Sequence, residues 1–310
     1  MSDPAPSSAQ AVTRQRVKAI VLTCLAVMCF TVIDTGAKWL NPRLGVLETT
    51  FVRFTSGFAW VFVFLNPWRV PNLLHSRRPF LQFIRGALLL ASTVLNFLAI
   101  QHLQLAQAVS IMFLAPLLVC LLAGPVLGEW AGPRRLAAIA VGFIGVLIMT
   151  RPGTGAFHPA ALLSLAAMSC YSVILLMTRQ LSQSDSAETT MFYSSLFGTV
   201  VLLPFVIPGW KTPTEWLEWA VIAGIGLGGA AGHWMLIQAQ RAAPAPVLAP
   251  FLYSQIVWMS LSGYIFYGEM PDRWTILGAL IVIASGLYLL HRERIRALER
   301  AAAERLTSDK

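Results

Sequence analysis

Asp34 and Lys38 stand four residues apart in one long apolar run, and Arg53 lies in the next. Four residues on a helix make about 6 Å of rise and nearly one turn, so the acid and the base share a face, in the order that favours an ion pair. Folding the two runs into a hairpin about Arg43 sets Arg53 opposite Ile33 and brings Asp34, Lys38 and Arg53 to one depth. A charge at the centre of a hydrocarbon layer costs about 3 kcal/mol on insertion scales, so these groups must face protein or a wet cavity. They can form an ion network that locks two helices together, or contact an anionic or zwitterionic ligand. The readings are compatible, because one carboxylate neutralises only one of two cations. Arg85, in the third run, can snorkel to the surface or line an inner vestibule.

Other polar groups are sparse. His233 and Trp234 follow Gly224, Gly226, Gly228, Gly229 and Gly232, small residues that let helix backbones approach closely. His233 is the one histidine well inside a run, so no histidine metal site can form there; it serves as a core hydrogen-bonding group, or in proton coupling or substrate contact. Asn96, Gln107, Ser110, Tyr171, Tyr193, Tyr253, Gln255 and Trp258 supply hydrogen bonds between helices or contacts to a planar or amphipathic metabolite. Pro116 and Pro250 can kink their helices. Glu129 and Glu269 sit at helix ends, where they latch neighbouring helices or gate a cavity. No His-Glu-x-x-His, no cluster of histidines or carboxylates and no phosphate-binding Gly-x-x-x-x-Gly-Lys-Ser/Thr occurs. The expectation is therefore no catalytic residues, no metal, no cofactor and no enzyme activity.

The elements that position these groups follow from composition. Of 310 residues, 56% are hydrophobic and 12% charged, and the mean hydropathy is +0.67. Soluble domains carry about twice that share of charge, roughly 25%. Apolar runs at 18–40, 46–66, 80–101, 105–127, 134–150, 158–179, 188–208, 217–239, 245–267 and 273–291 are separated by breakers such as Asn41-Pro42 and Arg151-Pro152-Gly153. Each has about the length of a membrane-spanning helix. The four cysteines all fall inside runs and imply no disulfide framework. The net charge of +9 reads as topology rather than nucleic-acid binding. With the N-terminus inside, 16 basic residues fall in cytoplasmic segments and 4 (Arg43, Arg151, Lys211, Arg273) in outer loops. That asymmetry puts both termini in the cytoplasm. The run after Arg14 has no small-residue cleavage site and reads as a retained first helix.

An internal repeat organises the runs. Leu127-Gly128-Glu129 recurs as Tyr267-Gly268-Glu269, and Gly145 recurs as Gly286 at the same offset to within a single position. Five spans per half is an odd number, so the second half enters the membrane with opposite polarity. The expected fold is an all-α membrane protein of about ten transmembrane helices in two inverted five-helix repeats. Its parts are a disordered cytoplasmic tail at 1–17, the first repeat at 18–150, the second at 151–291 and a basic cytoplasmic tail at 292–310.

The paired Gly-Glu motifs resemble the drug/metabolite transporter superfamily, in particular its ten-helix EamA-type members. So do Pro116 after the run Ala106–Ser110, the segment Ala249-Pro250-Phe251-Leu252-Tyr253-Ser254-Gln255, and Asp34-Thr-Gly-Ala-Lys38 with Arg53-Phe54. The resemblance covers about residues 18 to 292. It implies a central cavity between the halves, frequent homodimers, and transport of a small molecule. Relatives that look like this handle S-adenosylmethionine, riboflavin, opine-type metallophores and amino-acid metabolites. The expectation is a secondary transporter of a small polar or amphipathic metabolite in the inner membrane, with the lipid bilayer and a small-molecule substrate as its partners. An exporter of an opine-type metallophore or amino-acid metabolite is the alternative, and a structural or sensory membrane subunit is the reading from a different class.

Overall fold

The computed structural model describes residues 8–64, 73–127, 132–155, 157–243 and 245–308, and among these the chain is helix and turn throughout. Helices α1 (Ser8–Leu44), α2 (Val46–Phe64), α3 (Pro79–Ile100), α4 (Leu105–Met112), α5 (Ala115–Leu127) and α6 (Pro133–Thr150) form the first half. The second comprises α7 (Ala160–Leu181), α8 (Ala187–Val206), α9 (Trp216–Ala242), α10 (Ala245–Leu252), α11 (Gln255–Tyr267) and α12 (Arg273–Ser308). Counting α4–α5 and α10–α11 as one broken span each gives ten spans, five per half. Among the described residues, eight are long and apolar enough to cross a membrane by length and hydropathy alone. The other two are α2, which carries Glu48 and Arg53, and the interrupted α10–α11.

Local chemistry sets the boundaries. Pro79 and Pro133 open α3 and α6 at positions where a missing N–H costs nothing. Gly45, at φ 92°, turns α1 straight into α2. Gly268, at φ 66°, closes α11: its N–H reaches Tyr264 O at 3.0 Å and the next N–H reaches Gly263 O at 2.9 Å. This left-handed closure fixes Glu269 immediately beyond the helix end.

Two expectations change. The fourth and ninth spans, read as continuous, each break after a short helix, at Phe113-Leu114 and Tyr253-Ser254. Pro116 cannot donate to the carbonyl of Met112 and its ring crowds that group, so the first break follows. The second comes just after Pro250, and Ser254 Oγ donates to the Phe251 carbonyl left there, at 2.6 Å. The stretch before residue 18, read as an unstructured tail, is helical from Ser8, because Gln, Ala and Arg extend a helix readily. At the other end α12 continues through the Arg-, Glu- and Ala-rich tail to Ser308.

The halves pack as inverted copies. On α6 and α12, Gly142 faces Ser285 and Gly145 faces Gly278. On α2 and α8, Thr55 meets Thr199 at 3.5 Å and the Phe58 and Phe192 rings lie 5.3 Å apart. In both pairs the numbers rise along one helix as they fall along the other, so equivalent helices cross antiparallel. A half-turn about an axis in the membrane plane requires this. The cross-half pairing of α1 with α9 is likewise matched by that of α7 with α3. Even the two breaks meet: Phe113 and Tyr253 hold equivalent places in the two halves, and their rings stack edge-to-face at 4.8 Å within the largest core cluster.

Candidate functional site

Where α9 crosses α2, Gly226 lies against Ser56 and Gly57 so closely that a Cβ there would come within 2.7 Å of the Gly57 N. This approach brings α9 onto the charged face of α2. Arg53 of α2, Arg85 of α3, Ser194 of α8 and His233 of α9 then line one cavity, walled by apolar groups that include Phe54, Leu89 and Val61. Counting its open mouth the space is about 490 Å³; as an enclosed cavity it is about 50 Å³, room for water rather than a metabolite in this conformation.

Arg85 is held in place. Its Nε donates to Thr178 Oγ1 at 2.8 Å and its Nη1 donates to Ser194 Oγ. Both hydroxyls donate their own protons to carbonyls one turn back, Ile174 O at 2.6 Å and Thr190 O at 2.7 Å, which leaves their lone pairs for the guanidinium. Arg53 is held less firmly. Its guanidinium lies 4.8 Å from the Phe54 ring and its Nε is buried without a hydrogen-bond partner. Asp34 interacts with Arg53 through space while accepting from Asn96 Nδ2 at 3.0 Å. His233 Nδ1 lies 2.8 Å from Gly229 O. A carbonyl can only accept, so Nδ1 carries a proton, and in the neutral ring Nε2 is left as the acceptor. Phe30 packs edge-on against the ring at 5.0 Å.

Lys38 does not pair with Asp34, although they share a face. Its Nζ donates to Leu103 O at 2.7 Å and forms an ion pair with Glu269. Asn96 already serves Asp34, whereas the end of α11 sets Glu269 within reach of the long lysine stem. Glu269 Oε2 also accepts from Leu105 N at 3.1 Å. Tyr267 donates to Thr35 O at 2.6 Å, and Arg151 Nη2 meets Asp272 Oδ2 at 2.6 Å. The end of the bundle that carries Gly45 is thus laced between the halves. At the opposite end Asp185, in the α7–α8 loop, accepts from Ser76 Oγ, from Gln82 Nε2 at 2.9 Å and from the Arg77 N–H at 3.0 Å. Burial raises its carboxyl, but the Ser76, Gln82 and Arg77 donors outweigh that and hold it below its ordinary range.

The remaining candidates lie elsewhere. Tyr171 comes near enough to Arg85 to interact electrostatically. Ser110 donates to Ala106 O at 2.7 Å on its own helix, and Tyr193 donates to Leu74 O at 2.8 Å. Tyr253 is buried at the ninth-span break, its hydroxyl pressed against Gly286 without a partner. Gln107, Gln255 and Trp258 are half-buried and outside the cavity lining. Trp234, read as a substrate contact beside His233, is 45% exposed. Neighbours on a helix point about 100° apart, so with His233 inward Trp234 joins the outer stripe of Ala223 and Leu227. Glu129 lies outside the described residues. Thr178 and Ser194, which hold Arg85, were not singled out from the sequence; Ser194 was reachable, since the spacing that carries Gly145 onto Gly286 carries Arg53 onto Ser194.

Residues 17–151 and 158–290 each match the model of the EamA-like transporter family. The chain is 27% identical over 270 residues to an S-adenosylmethionine uptake transporter of Rickettsia prowazekii (strain Madrid E), covering 87% of this chain and 91% of that one. It is 25% identical over 269 residues to a riboflavin transporter of Vibrio cholerae, covering 86% and 90%. It is 26% identical over 276 residues to the pseudopaline exporter CntI of Pseudomonas aeruginosa, covering 87% and 95%. A solved crystal structure superposes with a TM-score of 0.63 over 89% of this chain and 97% of its own, at 18% identity, a likeness of fold alone.

Proposed function

The chain belongs to the EamA-like transporter family, and from that premise we propose that it is a secondary transporter carrying a small polar or amphipathic organic metabolite across the inner membrane. The observation that carries this reading is the cavity of Arg53, Arg85 and His233, which draws its lining from both inverted halves. Inverted halves around a shared site are the architecture of alternating access. Relatives named for S-adenosylmethionine uptake, riboflavin transport and pseudopaline export have a small organic solute in common, and neither a direction nor a substrate.

The Lys and Arg asymmetry supports cytoplasmic termini. On that topology the Gly45 end faces outward, and the Lys38–Glu269 pair is a latch across the outer mouth. Val61 and Met191, near the inward ends of α2 and α8, then set the cavity toward the cytoplasm.

The test is accumulation of S-adenosylmethionine, riboflavin and a cell metabolite extract in proteoliposomes of the full chain, read by mass spectrometry. Time-dependent accumulation of a defined solute, lost when the membrane is permeabilised, is the expected result. If nothing accumulates above protein-free vesicles under any imposed ion gradient, the transport reading falls and a structural or sensory membrane subunit takes its place.

A further inference from the structure

Resting on the transport reading above, we infer that Arg53 and Arg85 form a subsite for a carboxylate group of the transported solute. Three observations converge on it. First, the charges do not balance. Two guanidiniums face this region and the Asp34 carboxyl interacts with Arg53 alone, so even with Asp34 ionised and His233 neutral the cluster carries at least one excess positive charge. Arginine does not shed its proton in proteins, so the excess positive charge favours an anion. One carboxylate supplies such a charge.

Second, donors are left over. Arg85 spends two of its five N–H groups on Thr178 and Ser194. The Nε of Arg53 is buried without an acceptor. A buried donor without an acceptor carries its full desolvation cost, and an incoming carboxylate removes it. The fork of a guanidinium also matches the two oxygens of a carboxylate.

Third, the walls are apolar. Phe54, Val61 and Leu89 keep the guanidiniums among hydrocarbon, where charge-assisted hydrogen bonds are strongest. The site is also lopsided. At the spacing that relates Gly145 to Gly286, Arg53 corresponds to Ser194 and Arg85 to Gly226. The anion is therefore held by cations of the first half, with Ser194 and His233 of the second half facing it.

The test uses acetate as the simplest carboxylate, acetamide as its neutral isostere and chloride at matched ionic strength. Thermal unfolding of the purified full-length protein is followed by tryptophan fluorescence. With a dissociation constant on the order of 10 mM, 100 mM acetate should raise the midpoint by about 2 °C, and acetamide and chloride should not. Arg53→Gln and Arg85→Gln should abolish the rise, and Arg53→Lys should keep only part of it, because the charge remains and the fork is lost. If Arg53→Gln does not fold, Arg85→Gln and Arg53→Lys carry the same comparison. Equal effects of acetate and chloride, or a rise that survives both glutamine variants, would overturn the subsite. Uptake separates this outcome from the transport reading. An arginine-dependent acetate effect with no solute uptake leaves the subsite standing and removes transport. Uptake that ignores the carboxylate, with no acetate effect, does the reverse.

Discussion

Removing the Glu269 charge should open the Gly45 end. The Lys38 and Glu269 side chains are 11% and 19% exposed, so the pair is mostly but not fully desolvated. Taking one partner from a fully buried pair costs about 3–5 kcal/mol. Residual exposure and the retained bond from Lys38 to Leu103 O bring the expectation for Glu269→Gln to about 2 kcal/mol. The pair joins the halves, so that cost falls on conformations closed at this end. At about 1.4 kcal/mol per factor of ten, the balance moves toward the open form by roughly 25-fold. Thr35, one turn below Lys38, reports on this region because its carbonyl receives Tyr267. In a chain whose four native cysteines are replaced by alanine, Thr35→Cys should react faster with an impermeant maleimide applied to the Gly45 side when Glu269→Gln is present. The swap Lys38→Glu with Glu269→Lys should restore much of the protection. Unchanged labelling in Glu269→Gln, or no recovery in the swap, would refute the latch.

Three further outcomes follow from other contacts. Asp185→Ala removes the acceptor for three donors and should lower stability by about 1–3 kcal/mol at pH 7. Because the Asp185 carboxyl is held below its ordinary range, its contribution is present above the unfolded carboxyl value of about 4 and is lost as pH falls through the lower folded value, so the thermal midpoints of variant and wild type should draw together as the solution is acidified. Gly278→Ala would put a Cβ 2.4 Å from Gly145 O and should cost about 1–3 kcal/mol in unfolding experiments, by forcing α6 and α12 apart. Tyr253→Phe deletes a buried hydroxyl with no partner and should leave the thermal midpoint unchanged or raise it; a lower midpoint would mean that the hydroxyl has a partner after all.

Much of the scaffold was legible. The apolar runs and the recurrence of Gly-Glu at positions 128–129 and 268–269 lead to ten spans in two inverted halves, and the antiparallel packing of α6 on α12 bears this out, although Asn41-Pro42, read as a breaker, lies inside α1 and the chain turns only at Gly45. The helix breaks were not legible to the residue, since proline announces a lost hydrogen bond but neighbouring packing decides where the chain turns. The side-chain network was less visible still. Helical spacing says which residues share a face, and so ties Asp34 to Lys38. It does not say which distant helix lies opposite, and Lys38 found Glu269, 231 residues away. His233 and Trp234 show the same limit at shorter range: adjacency in sequence made them one candidate, and about 100° of helix rotation divided them. The repeat spacing held more than was drawn from it, since it also carries Lys38 onto Arg179, much as it carries Glu129 onto Glu269.

Symmetry and its loss divide the work in this molecule. Features that recur at the repeat spacing are structural: the broken spans at Phe113 and Tyr253, and the antiparallel crossings of α2 on α8 and α6 on α12. Under the proposed alternating access such parts are needed in duplicate, because each half would take the other's role when access switches sides. A binding site has no such need, since one solute occupies it once. The charged groups behave accordingly. Asp34, Arg53 and Arg85 correspond to Leu175, Ser194 and Gly226, so the first half holds the charges and the second offers hydroxyl, imidazole and bare backbone. An anion bound there would stay with α2 and α3 while α8 and α9 move past it. The strong contacts would persist and the weak ones would exchange, which lets a site stay occupied through a conformational change without holding its solute too tightly to release it.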